Sequence, residues 1–211
     1  MFITLEGPEG AGKSSQIGPL AAFLRERGFV VRTTREPGGT TIGDQIRAVL
    51  HDTANTEMAA TAEVLLYSAS RAQLVSQSIR PALAAGEVVL CDRYADSTLA
   101  YQGYGRGLDL KALLSLTEFA TGGLKPDLTL LLDLDVTDGL ARRQSQGEEM
   151  NRLDLETLEF HNRVRQGYHA LAAAEPDRWV IVDAAQSPES VQAALRAAVE
   201  RCLTRRESPG S

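Results

Sequence analysis

EGPEGAGKSS, residues 6–15, places three glycines, a proline, two acids, a lysine and two serines directly after the apolar or β-branched run FITL. A chain that leaves a buried strand and at once gives up side chains brings its backbone against a ligand. The spacing Gly7-x-x-x-x-Gly12-Lys13-Ser14 is that of a phosphate-binding P-loop. Its glycines let the backbone wrap a phosphate, and successive N–H groups form an anion nest. The helix that follows Gly12 adds its positive end. Lys13 supplies a point charge toward the β- and γ-phosphates, and Ser14 offers a hydroxyl to Mg²⁺. The loop predicts a nucleoside triphosphate ligand held by Gly7, Pro8, Glu9, Gly10, Ala11, Gly12, Lys13 and Ser14, without saying what receives the phosphate.

Outward from the loop, Ile17, Leu20, Ala21 and Leu24 fall at helical spacing and Gly28 ends that helix. Residues 29–34 read as a second strand and REPGGTT as a turn-rich loop, followed by a short helix carrying Ile42, Ile46, Val49 and Leu50. A long helix is expected from about Thr61 to Ala85, interrupted or ended near Pro81. EVVLCDRY is a third strand running into an acid and a base, and ADSTLAYQGYGRG a polar, glycine-rich segment. Leu110, Leu113, Leu114 and Thr117 give a helix closed by Gly122 and Gly123. DLTLLLDLDV and WVIVDA are the fourth and fifth strands, and Ser187-Pro188-Glu189 starts a last helix. Apolar strands alternating with helices predict a parallel sheet covered on both faces. The expected class is α/β: a three-layer P-loop NTPase fold, with a five-stranded parallel sheet flanked by helices and a short lid. With no repeat and no interdomain linker, residues 1–205 read as one domain and 206–211 as a disordered tail. RRQSQGEEMNR, residues 142–152, lacks apolar periodicity and reads as a solvated helix–loop or a lid spanning about 140–153.

A net charge of −6 argues against a general nucleic-acid binder, which is normally basic. The cations are 19 Arg against 3 Lys, which reflects either local phosphate sites or composition, so position decides. No apolar run approaches roughly 18 residues, so no membrane span is expected, and MFITLEG does not read as a secretory signal. Cys91 and Cys202 read as buried thiols in a reducing cytoplasm. His51, His161 and His169 show no metal spacing and read as surface or packing residues.

Three fates of the triphosphate compete: a small-molecule kinase, a GTP switch or an ATP-driven motor. No Asp is followed three positions later by Gly, and Asn151-Arg152-Leu153-Asp154 departs from the switch motif it approaches. A small-molecule kinase needs a second phosphate site facing the P-loop. Asp92 and Arg93 end a strand at the ligand edge of an open α/β sheet, suiting Mg²⁺ and an acceptor phosphate. Arg35 and the following Glu36-Pro37-Gly38-Gly39 end strand two at the same edge, and Arg47 and Arg71 lie on the helices beyond. Tyr67 is four residues before Arg71, so an aromatic ring and a forked donor share a helix face, as a stacked and hydrogen-bonded base requires.

FITLEGPEGAGKSS, TREPGGT, DRYADSTLAYQGYGRG, KPDLTLLLD and NRLD, in this order, resemble the bacterial thymidylate kinase family of nucleoside monophosphate kinases, over about residues 2–203. The resemblance implies transfer of the ATP γ-phosphoryl to dTMP with Mg²⁺, in the cytoplasm and in a homodimer. It implies ATP on residues 7–14, Glu9 near the sugar hydroxyl of dTMP, and Arg47 and Arg93 on the acceptor phosphate. Tyr67 would stack on thymine and Arg71 read it. Thr98 and Gln102 would lie near the base, and Tyr101 would exclude a ribose 2′-OH. Glu36 and Asp92 would organise the site, Asp92 with Ser14 at the metal. Pro8, Glu9, Gly10 and Ala11 include no base, a pattern that places a compensating arginine in the lid. Arg143 and Arg152 are its candidates, while Gln144 and Gln146 stand where related lids carry Arg. Two rival readings remain: a kinase of another nucleoside monophosphate, and a non-catalytic ATP-binding P-loop module.

Overall fold

β1 (Phe2–Glu6) is buried at every position and leads through the glycine loop into α1 (Lys13–Glu26). The computed structural model describes residues 1–145 and 150–207. After β2 (Val31–Arg35) come α2 (Thr41–His51) and α3 (Ala60–Leu74). A π-helical turn (Val75–Ile79) joins α3 to α4 (Arg80–Ala84), which precedes β3 (Val88–Asp92). Then follow α5 (Ala95–Thr98), a second π-helical stretch (Leu99–Gly105) and α6 (Leu110–Thr121). β4 (Leu128–Asp133), α7 (Val136–Ser145), α8 (Leu158–Ala174), β5 (Trp179–Asp183) and α9 (Pro188–Glu207) complete the order.

The five strands are all parallel, in the order β2-β3-β1-β4-β5. β1 pairs with β3 on one side and β4 on the other, so the strand order reverses at β1 and a crevice opens beyond its carboxyl end. That is where the P-loop leaves β1. Alternate residues of each strand serve opposite layers. Ile3, Leu5, Leu130 and Leu132 pack with Leu20, Leu24, Leu195 and Val199 of α1 and α9. Phe2, Val89 and Cys91 pack with Leu74, Ile79 and Tyr94 on the other face, and Leu131 with Tyr67, Phe160 and Tyr168.

Four segments differ from expectation. The long helix is interrupted near Pro81 as expected, but by a widened turn just before it, with the N–H of Arg80 donating to the Val75 carbonyl five residues back. Proline removes a helical donor and crowds the preceding turn, and a π turn absorbs both effects. The polar stretch 95–107 is helical through Gly105, because its wider π pitch keeps a glycine-rich segment hydrogen-bonded. Residues 136–145 form a helix the sequence pattern hid, opened by Asp135, whose carboxylate accepts from Thr137 N at 2.9 Å. α9 runs to Glu207, two residues into the expected tail. Residues 146–149, inside the lid expected at about 140–153 and including Gln146, and residues 208–211 lie outside the described residues.

The P-loop is clamped from behind. A Cβ on Gly7 would sit 2.3 Å from the Leu132 carbonyl oxygen of β4, and one on Gly10 2.0 Å from the Gly139 carbonyl oxygen of α7. A Cβ on Gly139 would in turn lie 2.3 Å from the Glu9 carbonyl oxygen. Backbone meets backbone here, so nothing can rotate away. Gly139→Ala should therefore cost about 1–3 kcal/mol by overpacking and weaken ATP binding together with stability. Urea denaturation and ATP titration check this; an unchanged denaturation midpoint would show that α7 yields freely.

Candidate active site

The carboxyl edge of the sheet opens into a cavity of about 260 Å³. The P-loop, the loop after β2, α3, the helical stretch after β3 and the turn at Asn151–Leu153 surround it. Of the expected residues, Glu9, Gly10, Gly12, Lys13, Ser14, Glu36, Arg47, Tyr67, Arg71, Asp92, Arg93, Thr98, Tyr101, Gln102 and Arg143 all line it. Gly7, Pro8 and Ala11 shape the loop without lining the cavity. Arg152 does not line it either.

At the phosphate end, Gly10 and Gly12 take φ of 71° and 83°, which turns the loop tightly. Lys13 Nζ donates to the carbonyls of Gly7 (3.0 Å) and Pro8 (2.7 Å), bridging the loop from inside. Burial, reinforced by Arg93, pushes the lysine down to about 8 against the pull of Glu9, Asp92 and Glu6. Ser14 Oγ donates to Asp92 Oδ2 at 2.5 Å, joining the start of α1 to the end of β3.

Arg93 is the one non-glycine residue with positive φ, 66°, among the described residues. Its N–H continues the sheet to Leu5 O at 2.9 Å, and the next N–H, of Tyr94, is taken by Glu6 Oε1 at 2.7 Å. The strained turn aims the guanidinium back across β1. Nη1 donates to Gly7 O (2.9 Å) and Tyr168 OH (3.0 Å), and Nη2 to Glu9 Oε1 (2.8 Å). Tyr101 OH donates to the same Glu9 oxygen at 2.9 Å, with its ring centroid 4.9 Å from the Arg93 guanidinium carbon. Burial disfavours the Glu9 charge, but Arg93, Lys13 and Tyr101 outweigh it and hold the carboxyl down at about 2.

Beneath Arg93 lies a residue that motif reading missed. Glu6 is fully buried, and its Oε2 accepts from Ser97 Oγ (2.6 Å) and Tyr168 OH (3.1 Å). Burial, with Asp96 adding to it, lifts this carboxyl to about 7. The signal was present: an acid ends a strand whose other positions are all suited to burial.

At the far end, Arg71 is only 1% exposed. Its Nε donates to Glu36 Oε2 (2.8 Å), Nη1 to Thr98 Oγ1 (2.9 Å) and Nη2 to Tyr94 O (3.1 Å). Glu36 Oε1 is buried without a hydrogen-bond partner. Arg47 Nη1 donates to Pro37 O at 3.0 Å, beside Arg35 on the cavity wall. His51, expected to be a surface or packing residue, also lines the cavity. Burial and then Arg47 push it down to about 4, so it is neutral at neutral pH. Its place one turn after Arg47 on α2 is the pattern that could have found it. The two lid candidates separate. Arg143 lines the cavity and donates to Asp154 Oδ2 at 3.1 Å, whereas Arg152 turns to Glu63 and, at 3.3 Å, to the Leu50 carbonyl.

A sequence model described as thymidylate kinase matches residues 5–195. The thymidylate kinase of Desulfovibrio desulfuricans is 54% identical over 212 residues, covering 98% of this chain and 98% of that protein. That of Deinococcus radiodurans is 55% identical over 199 residues, covering 94% and 96%. The crystal structure of thymidylate kinase from Ehrlichia chaffeensis superposes with a TM-score of 0.78 at 30% identity, covering 95% of this chain and 98% of that one.

The raised Glu6 carboxyl has a testable sign. Between its ordinary value, 4.5, and about 7, the folded protein keeps a proton that the unfolded chain has released. Stability from this group therefore falls as pH rises through that window, by up to about 1.4 kcal/mol per pH unit, and is level outside it. Relative to Glu6→Gln, the wild-type protein should lose stability across that range in pH-dependent urea unfolding. Parallel curves for the two proteins would mean that Glu6 does not titrate there.

Proposed function

The chain belongs to the thymidylate kinase family, and on that premise we propose how its cavity moves the γ-phosphoryl group of ATP to dTMP, giving dTDP and ADP. The protein is a nucleoside monophosphate kinase with ATP as phosphoryl donor. The observation that carries the reading is the position of Arg93. One guanidinium touches the P-loop carbonyl of Gly7 and the Glu9 carboxylate, between the triphosphate cradle and the arginine-lined cavity.

Phosphoryl transfer needs positioning and charge stabilisation more than covalent chemistry. The P-loop amides and Lys13 hold the β- and γ-phosphates. A lysine whose burial lowers its proton affinity regains full charge beside polyphosphate, so the cation strengthens where negative charge accumulates. Arg47 and Arg93 hold the acceptor phosphate in line, and Arg143 adds a third cation from α7. Glu9, ionised at any physiological pH, accepts from the sugar hydroxyl. Tyr101, pinned to Glu9, closes the space a 2′-OH would need. Tyr67 stacks on the base, and Arg71, locked by Glu36, presents a fixed edge with Thr98 and Gln102. Ser14 and Asp92 supply oxygen donors alone, which suits Mg²⁺, an ion that keeps waters and phosphate oxygens for the rest of its shell. Bound there, it neutralises charge on the β- and γ-phosphates.

We read residues 1–205 as a single catalytic unit, in the cytoplasm, in keeping with two buried cysteines that sit in separate core clusters. Among the described residues no helix is long and apolar enough to cross a membrane. A homodimer is supported by apolar side chains left exposed on packed neighbours: Ile42 and Val49 on α2, Leu65 on α3, and Leu114 and Phe119 on α6. Phe119→Asp should shift the protein toward monomer in sedimentation equilibrium; a wild-type protein that is already monomeric removes the dimer.

ADP release from ATP and Mg²⁺ tests the chemistry, with dTMP, dUMP, AMP, GMP and CMP as acceptors. Strong turnover with dTMP, weak with dUMP and almost none with the others is expected. A different preferred acceptor would discard the base-site assignments, and tight ATP binding without turnover would leave a binding module. In the same assay Arg93→Ala should lose roughly 2–5 kcal/mol of transition-state binding. Arg143→Ala should lower kcat by about tenfold or more; a near-normal kcat removes Arg143 from the phosphates.

A further inference from the structure

Glu63 stands on α3 one turn before Tyr67, with no exposed surface. Its carboxylate collects donors from two separate parts of the chain. Oε1 accepts from Gln102 Nε2 at 2.8 Å and from Arg106 Nε at 3.3 Å. Oε2 accepts from Arg106 Nη2 at 3.1 Å and from Arg152 Nη2. Arg106 also reaches Glu156, at 2.6 Å. Burial opposes the charge on Glu63, but the hydrogen bonds from Arg106, Gln102 and Arg152 outweigh it, and the carboxyl lies below its ordinary value.

An ionised carboxylate can only accept hydrogen bonds. The Gln102 amide must therefore turn its NH₂ end to Glu63. Its carbonyl oxygen is then the end left for a ligand in the cavity that Gln102 lines. A neutral, two-faced partner at residue 63 would leave both amide orientations open, since the two ends of an amide differ little in shape.

We propose that Glu63 is a positioning residue for base specificity: it fixes Gln102 as a hydrogen-bond acceptor and so selects pyrimidines that carry N3–H. The inference rests on the reading that Gln102 meets the base. Thymine and uracil offer a donor at N3, which an amide oxygen satisfies. Cytosine presents a lone pair there, so two acceptors would face each other with no proton between them. A site built around one donor rejects a ligand lacking it far more strongly than a difference in size would. Arg106 and Arg152 belong to the same device, because they keep the Glu63 charge in a place where an isolated carboxylate would take up a proton.

The test compares kcat/KM for dTMP, dUMP and dCMP in the wild-type protein and in Glu63→Gln, whose amide can either donate or accept. The preference for dTMP over dCMP should narrow by roughly tenfold or more. The preference for dTMP over dUMP should stay the same, because both bases carry the same N3–H. Glu63→Asp keeps the charge between the two arginines but draws it back by one methylene, and should narrow the same ratio if Glu63→Gln folds poorly. In a Gln102→Ala background, Glu63→Gln should change the ratio no further. A parallel fall for all three acceptors, or an unchanged dTMP to dCMP ratio in both Glu63 variants, overturns the proposal. A wild-type protein that turns over dCMP as well as dTMP overturns the placement of Gln102 at the base, and the proposal with it.

Discussion

The ion pair between Arg93 and Glu9 is the interaction on which the ligand edge depends. It ties the end of β3 to the middle of the P-loop, and neither partner could be removed without stranding the other. Both are largely withdrawn from water, with 15% and 17% of their side chains exposed. A desolvated charge without its partner costs several kcal/mol, so the pair acts as a constraint on shape more than as a source of stability. Its geometry is imposed from below. Glu6 takes the Tyr94 amide and thereby holds the left-handed turn at Arg93, while Tyr168 and Ser97 steady both groups. The phosphate-facing surface is thus built on a column of polar contacts that starts inside the central strand.

The same arrangement recurs at the base end with different residues. Glu36 there fixes Arg71 as Glu9 fixes Arg93. Glu63 does the corresponding work for Arg106 and Arg152. Three carboxylates, two of them buried and Glu9 largely so, each hold one or two guanidiniums in a set direction. An acidic chain with 19 arginines can therefore present cations to phosphate without becoming a basic protein. Arginine suits this role because its planar fork is oriented by one partner while other N–H groups remain to be used.

How much of this could be read from the sequence follows from the range of the interactions. The P-loop was legible because its chemistry is local: glycine torsions, a lysine and a serine in one turn. The sheet was legible because β1, β3 and β4 are apolar almost throughout, and in an open parallel sheet the ligands lie outside the carboxyl ends of the strands. The helix 136–145 was hidden because its buried face consists of Val136 and a glycine, which give no hydrophobic stripe. The π-helical stretches were hidden because pitch depends on what each turn packs against. Glu6 and Glu63 have no motif, and each gains its importance from partners dozens of residues away, while His51 shows only a helical spacing from Arg47. Arg143 and Arg152 looked equivalent in a polar run, and only the fold separates the one that lines the cavity from the one that faces Glu63.

The wide turn at Leu99–Gly105 carries one further consequence. Within it Arg106 N–H reaches back five residues, to Tyr101 O at 2.9 Å. This extra residue per turn lets Thr98, Tyr101 and Gln102 face the cavity while Arg106 reaches Glu63. Deleting any one residue here would restore ordinary pitch with the chain beyond the stretch still in register, but would redistribute the side chains inside it around the helix. Tyr101 and Gln102, which lie inside the stretch, would then leave the cavity. The segment is therefore a counted length: descendants of this sequence are free to exchange its letters, within the chemistry of the site, but not to change their number.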